Sequence, residues 1–224
     1  MIKLINLFFA VNFNISTHYD YELPKNFNVN FPENYSTAMK SMVYYDYSLG
    51  KFFDGAKLQP WFKNTTFIFC SDHWMLPNEK DNNYNSISSH RIPIIIYNPT
   101  NEIKKVDSSV NSQFDILETV LSIAGYKQPV ISYGKNLLTT SSKTDYAFTK
   151  INSSLYQIED SNYTLGFNCT NGVAEYLYNY KMDKNLKQNL INTTAFLSIQ
   201  NQLTLHIKGY IQKATMQYNK VAFK

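Results

Sequence analysis

The chain has 224 residues, 44% hydrophobic and 16% aromatic, with 17% charged and a formal net charge of +4. That composition excludes an intrinsically disordered chain, and the length suits one large domain or most of one. The positive charge is small and scattered, with Lys104-Lys105 the only doublet before the tail, which excludes the basic footprint of a nucleic-acid binder.

The N-terminal stretch "MIKLINLFFAVNFNIS" is interrupted by Asn6 and Asn12 and is followed by no small-residue cleavage site, so it reads as a strand rather than a leader. Within it, "LFFAVNF" (Leu7 to Phe13) has the near-continuous apolar pattern of a strand covered on both faces. A loop holding His18 follows. "STAMKSMVYYDYSLGKFFDGAK" then places Met39, Met42, Val43, Leu49, Phe52 and Phe53 near helical spacing, with Ser36 or Thr37 as N-cap. "TTFIFCS" supplies a second apolar strand, and after a polar loop "IPIIIYNP" supplies a third, bracketed by Pro93 and Pro99. "SQFDILETVLSIAGY" has a capping-box spacing from Ser112 to Asp115 and a C-cap glycine at Gly125. No stretch approaches the ~20 apolar residues of a membrane-spanning helix.

Past Pro129 the texture changes. "DYAFTKI", "SLYQIE", "YTLGFN" and "AEYLYNY" read as short strands, with the turn signal Asn171-Gly172 between the last two. Leu197, Leu203, Ile207, Tyr210, Ile211 and Tyr218 then return to helical spacing. The order predicts an α/β fold: a mostly parallel sheet flanked by helices over 1–140, then a small antiparallel subdomain and a terminal helix over 141–224. Two cysteines, Cys70 and Cys169, allow at most one disulfide and form no zinc-spaced pair; Cys70 reads as a small buried hydrophobe. Sequons recur, as at Asn14, Asn34 and Asn64, but in a chain this rich in Asn they are expected by chance.

Ligands of open α/β sheets bind beyond the carboxyl ends of the strands. His18, the adjacent Asp72 and His73, and the segment Ser88 to Arg91 all fall there. A carboxylate and a neutral imidazole both ligate divalent metals, and adjacent residues can reach one ion once the chain turns out of its strand. Such a pair is half of a metal site.

"FFAVNFNISTHYDYELP", "YYDYSLGKFFDGAKLQPWFKNTTFIFCSDH", "RIPIIIYNP", "QFDILETVLSIAGY" and "YGKNLL" occur in the order and spacing typical of the sulfatase family within the alkaline phosphatase superfamily, which the chain resembles over essentially its whole length. The branch it resembles most is that of the membrane-anchored, lipoteichoic acid synthase-like enzymes. The resemblance implies that Asp72 and His73 hold one catalytic divalent ion, manganese or zinc first, with calcium and magnesium also open. It implies that His18 contacts the phosphate or sulfate group of the substrate, and that Arg91 is either architectural or an anion contact. His90 departs in spacing from the extra histidine of related phosphoethanolamine transferases, and Asp46 reads as structural.

The implied activity is a two-step transfer through a covalent intermediate on phosphate or sulfate esters, lipid- or glycan-linked ones among them. Phosphoglycerol transfer, phosphoethanolamine transfer, phosphodiester hydrolysis and sulfate ester hydrolysis all stay open. The family places its nucleophile on segments before the matched region, so the chain is expected to be a C-terminal fragment, inactive alone, with nucleophile and membrane anchor outside it. The full-length protein would then lie at the extracytoplasmic face of the membrane or in the periplasm. The competing expectations are a non-catalytic binding or scaffold remnant and a carbohydrate-binding β module over 145–180.

Overall fold

The structure is a computed structural model that describes residues 8–74, 87–101, 104–139 and 145–222, the last three through their backbone alone. Leu7, the polar loop at 75–86 and the expected domain boundary at 140–141 lie outside the described residues. The described chain forms two compact units: one from Met1–Ile68 with Ile96–Lys104, the other from Phe69–Ile95 with Lys105–Lys224.

In the first unit, helix α1 spans Thr37–Ala56, and the Ser36 side chain accepts a hydrogen bond from the Met39 amide, which fixes its start. Its C-terminal aromatic Phe53 packs against Phe62, Phe67 and Tyr97, with ring centroids 5.1 Å apart for Phe53 and Phe67. These contacts seat the start of strand β1 (Phe67–Cys70), and Asn98 donates to the Thr66 hydroxyl at 3.0 Å beside it. Strand β1 forms a two-stranded sheet with β2 (Ile94–Tyr97).

The expected first strand is corrected here. Phe8–Phe13 form no strand, and Phe8, Phe9, Val11 and Phe13 are all exposed. An extended run becomes a strand only when a neighbour accepts and donates along it, and among the described residues the run has no such partner. Strands β1 and β2 occupy the two later apolar runs and are only partly covered, with Ile95 and Tyr97 exposed.

In the second unit, helix α2 spans Asp115–Ile123 and ends at Gly125, whose φ of 70° is the left-handed value that a C-terminal cap requires. Strands β3 (Ala147–Lys150), β4 (Leu155–Glu159), β5 (Tyr163–Asn168) and β6 (Val173–Asn179) form an antiparallel meander. Its last turn uses Gly172 at a φ of 75°, as the Asn-Gly signal predicts.

The register aligns Phe148, Ile158, Leu165 and Leu177 in one cross-strand row. Helix α3 (Leu197–Ala222) lays Leu203 and Ile207 on that row, and both are fully buried. The other face carries Gln157, Gly166 and Tyr176 in one row and Glu159, Thr164 and Tyr178 in the next. That face is polar yet buried at Gln157, Glu159 and Thr164. Tyr176 reaches Gln157 Oε1 at 2.6 Å, lying so close over Gly166 that a Cβ there would come within 2.2 Å of its ring.

Candidate functional site

Strand β1 ends at Cys70, and the chain turns through Ser71, Asp72 and His73. Asp72 Oδ1 accepts from the His73 amide at 2.9 Å, the local side-chain-to-backbone bond that a short acid makes where a regular ladder stops. The ring Nδ1 of His73 lies 2.7 Å from the Trp74 carbonyl oxygen. A carbonyl only accepts, so Nδ1 carries a proton, and in the neutral ring Nε2 keeps its lone pair.

That lone pair stands 3.9 Å from Asp72 Oδ1, and both side chains are exposed. Two donors about 2.0–2.2 Å from a tetrahedral ion lie roughly 3.4 Å apart, so the 3.9 Å pair stands about half an ångström wider than one such ion would hold it. The histidine's second nitrogen is engaged by a carbonyl, as it is in most metal-ligating imidazoles. Among the described residues no group of three or more His, Cys, Asp or Glu side chains converges, so the pair contributes two donors.

Gln113 was not singled out from the sequence, because the Ser112-to-Asp115 spacing reads as helix capping alone. Its amide nitrogen donates to the Ser71 carbonyl at 2.7 Å and to the Asp72 carbonyl at 2.9 Å. The segment bearing it is pinned two residues later. Asp115 accepts from the Ser112 amide at 2.7 Å and from the Lys135 amide at 2.8 Å. Burial pushes the Asp115 carboxyl above its ordinary range, opposed by those two amides and by the Lys135 charge. The capping box therefore forms in its reaching-back half, with the carboxylate returning to Ser112.

Gly134 packs against the start of α2 so closely that a Cβ would fall 2.1 Å from the Phe114 carbonyl oxygen. Helix α3 holds this loop in turn. Lys213 donates to the Ser132 carbonyl at 2.7 Å and sits over the Tyr133 ring, whose hydroxyl donates to Gln217. Lys135 makes a 2.6 Å ion pair with Asp145 and donates to the Val110 carbonyl.

The remaining sequence-level candidates are distributed between the units. His18 belongs to the first, in an exposed turn where its amide donates to the Ile15 carbonyl and its Nδ1 lies 3.3 Å from the Tyr19 carbonyl. Asp46 is exposed on α1. Arg91 belongs to the second unit with Asp72 and His73, and follows the 3-10 turn Ser88–His90. Burial, with Asp160 and Glu159, pushes the Tyr180 phenol up to about 12, and the Arg91 charge works against that rise. His90 Nδ1 lies 3.0 Å from the Ser89 hydroxyl.

Cys70 and Cys169 are both free and exposed, which corrects the reading of Cys70 as a buried hydrophobe. The strand's last side chain is uncovered where the chain leaves the sheet. The thiol itself is partly enclosed, and that burial pushes it up, against a hydrogen bond from Gln113 and with the Asp72 charge adding to the rise.

The family model described as Sulfatase matches residues 6–126, more than half of the chain. The chain belongs to the sulfatase family. A curated sulfatase relative, the uncharacterized sulfatase YidJ of Escherichia coli (strain K12), is 26% identical over 169 residues, which cover 67% of this chain and 33% of YidJ.

Solved structures share the fold. An alkaline phosphatase superfamily protein from Vibrio parahaemolyticus superposes with a TM-score of 0.63 at 19% identity, covering 84% of this chain and 44% of that one. The structure of BT4656 in complex with its substrate D-glucosamine-2-N,6-O-disulfate superposes with a TM-score of 0.54 at 18% identity, covering 79% and 41%. The α/β architecture is thus shared with these solved structures. The chain spans about a third of its curated sulfatase relative and less than half of these solved structures.

Proposed function

We propose that this chain carries part of the active site of a divalent-metal-dependent enzyme acting on sulfate or phosphate esters, with Asp72 and His73 as two of the metal's ligands. The observation that carries the reading is the corner after β1, where a carboxylate oxygen and the Nε2 ring nitrogen lie 3.9 Å apart, both side chains exposed, with Nδ1 turned to a backbone carbonyl. Manganese or zinc suits the mixed oxygen and nitrogen donor set, and calcium or magnesium is the alternative for an oxygen-rich completion. When bound, such an ion supplies charge stabilisation to the ester oxygens as negative charge develops on them.

Other residues of this chain are proposed to bind and orient the ester. His18, with Nε2 left over from its weak Nδ1 contact, is proposed to contact the transferred sulfuryl or phosphoryl group. Arg91 is proposed as an anion contact or as an architectural charge beside Tyr180. The substrate class that the neighbours favour is a sulfated sugar, because BT4656 is described with a disulfated glucosamine.

The finer reading assigns the chain to the lipoteichoic acid synthase-like branch. On that reading phosphoglycerol transfer is an alternative reaction, the complete protein works at the extracytoplasmic membrane face or in the periplasm, and the nucleophile is supplied by sequence outside these residues. A non-catalytic scaffold remnant is the second reading.

Asp72→Ala in the complete protein tests the assignment. Metal-dependent ester cleavage is expected to vanish, and near-normal metal-dependent turnover in the variant would sink it. Titration of manganese or zinc into this chain, with and without the same substitution, separates the two readings. Binding that is lost in Asp72→Ala favours the enzyme, and binding indifferent to Asp72 favours the remnant.

A further inference from the structure

We infer that Gln113 is the positioning residue for the Asp72–His73 corner, holding the turn that brings both donors to one side of the chain. This inference rests on the metal reading of that corner. The Gln113 amide nitrogen donates to two consecutive carbonyls, Ser71 at 2.7 Å and Asp72 at 2.9 Å, beside its hydrogen bond to the Cys70 thiol. In an extended strand consecutive residues alternate in direction, so one donor group cannot serve two neighbouring carbonyls. Capturing both requires the chain to leave the strand at Ser71. The same departure is what two adjacent ligands need in order to face one ion.

Several features make Gln113 suited to the task. Its own segment is fixed, because Asp115 binds the Ser112 and Lys135 amides two residues beyond it. The clamp spans 41 and 42 residues of sequence, so it is tertiary and not a feature of the local loop. Only the donating end of the amide can face two carbonyls, which fixes its orientation. Gln113 is exposed, so replacing it leaves the hydrophobic core untouched.

The test compares Gln113→Leu, which keeps the bulk and removes both donors, with Gln113→Glu, which turns an acceptor toward two carbonyls. The first readout is metal-free. Nitrogen NMR of the His73 ring in the full chain, at a pH where the ring is neutral, is expected to show the Nδ1-protonated tautomer in wild type. Both variants should show exchange between tautomers, with Gln113→Glu the more affected. The second readout is manganese titration, where affinity should fall about tenfold, the low end for a residue that orients a ligand from outside the coordination shell. The melting temperature should stay within about 2 °C, as for an exposed substitution.

Wild-type ring signals in both variants would overturn the inference. So would a large loss of melting temperature, which would make Gln113 a general stabiliser of the fold. If wild type binds no manganese, or binds it equally well as Asp72→Ala, the metal reading fails separately, and the ring signals still decide the role of Gln113.

Discussion

Glu159→Gln isolates the pH dependence of this fold. Glu159 lies on the polar face of the four-stranded sheet, 9% exposed, with its Oε1 accepting from Gln157 Nε2 and from the Thr164 hydroxyl. Burial raises its carboxyl from 4.5 to about 7, against the pull of those two donors. Below pH 4.5 the group is protonated whether the chain is folded or not, and it exerts no pH-dependent effect. As pH rises from 4.5 toward 7 the unfolded chain releases this proton while the folded chain keeps it, so stability falls, and the fall is complete just above pH 7.

At about 1.4 kcal/mol per pH unit, the span from 4.5 to about 7 corresponds to a loss of roughly 3 kcal/mol. The neutral amide that Glu159→Gln introduces never ionises and retains an acceptor for Gln157 and Thr164, so the loss should disappear in the variant. Urea unfolding from pH 4 to pH 8.5 measures it, taking wild type minus variant so that Asp107 and Asp115, which shift in opposite directions, cancel. The variant should gain on wild type by about 3 kcal/mol between the acid and alkaline ends. Parallel pH profiles for the two proteins would refute the reasoning and would mean that Glu159 is ionised and well solvated throughout.

Gly134→Ala is expected to cost about 2 kcal/mol or more in urea unfolding, because its Cβ would meet the Phe114 backbone and force the loop off Asp115. Ile207→Ala should cost about 2–5 kcal/mol, since the side chain is fully buried against the Ile158, Leu165 and Leu177 row. Leu205→Ala, 72% exposed on the same helix, serves as its control and should lie within about 0.5 kcal/mol of wild type.

What the sequence carried by itself was whatever short-range physics decides. Helical spacing placed α1, α2 and α3; Ser36 capped α1 as read, and Gly125 and Gly172 took the positive φ values that their turn chemistry demands. Alternation and the Asn-Gly signal gave the four-stranded meander. The Asp-His pair at the end of an apolar strand was legible too, because both the strand and its breakdown are local events. The tertiary structure decided everything that depends on a distant partner. Phe8–Phe13 has the composition of a strand, but composition supplies no ladder, and among the described residues none pairs with it. Glu159 looks like an ordinary surface acid in an alternating strand until the register sets it between Gln157 and Thr164 and excludes water. Gln113 looks like filler in a capping box, and it meets Ser71 and Asp72 only because α3 and the Gly134 loop fix the start of α2 beside the end of β1. Hydrogen bonds that close over some 40 residues leave no periodic trace, since their cost is loop entropy and their gain is geometry, and neither is written in adjacent side chains.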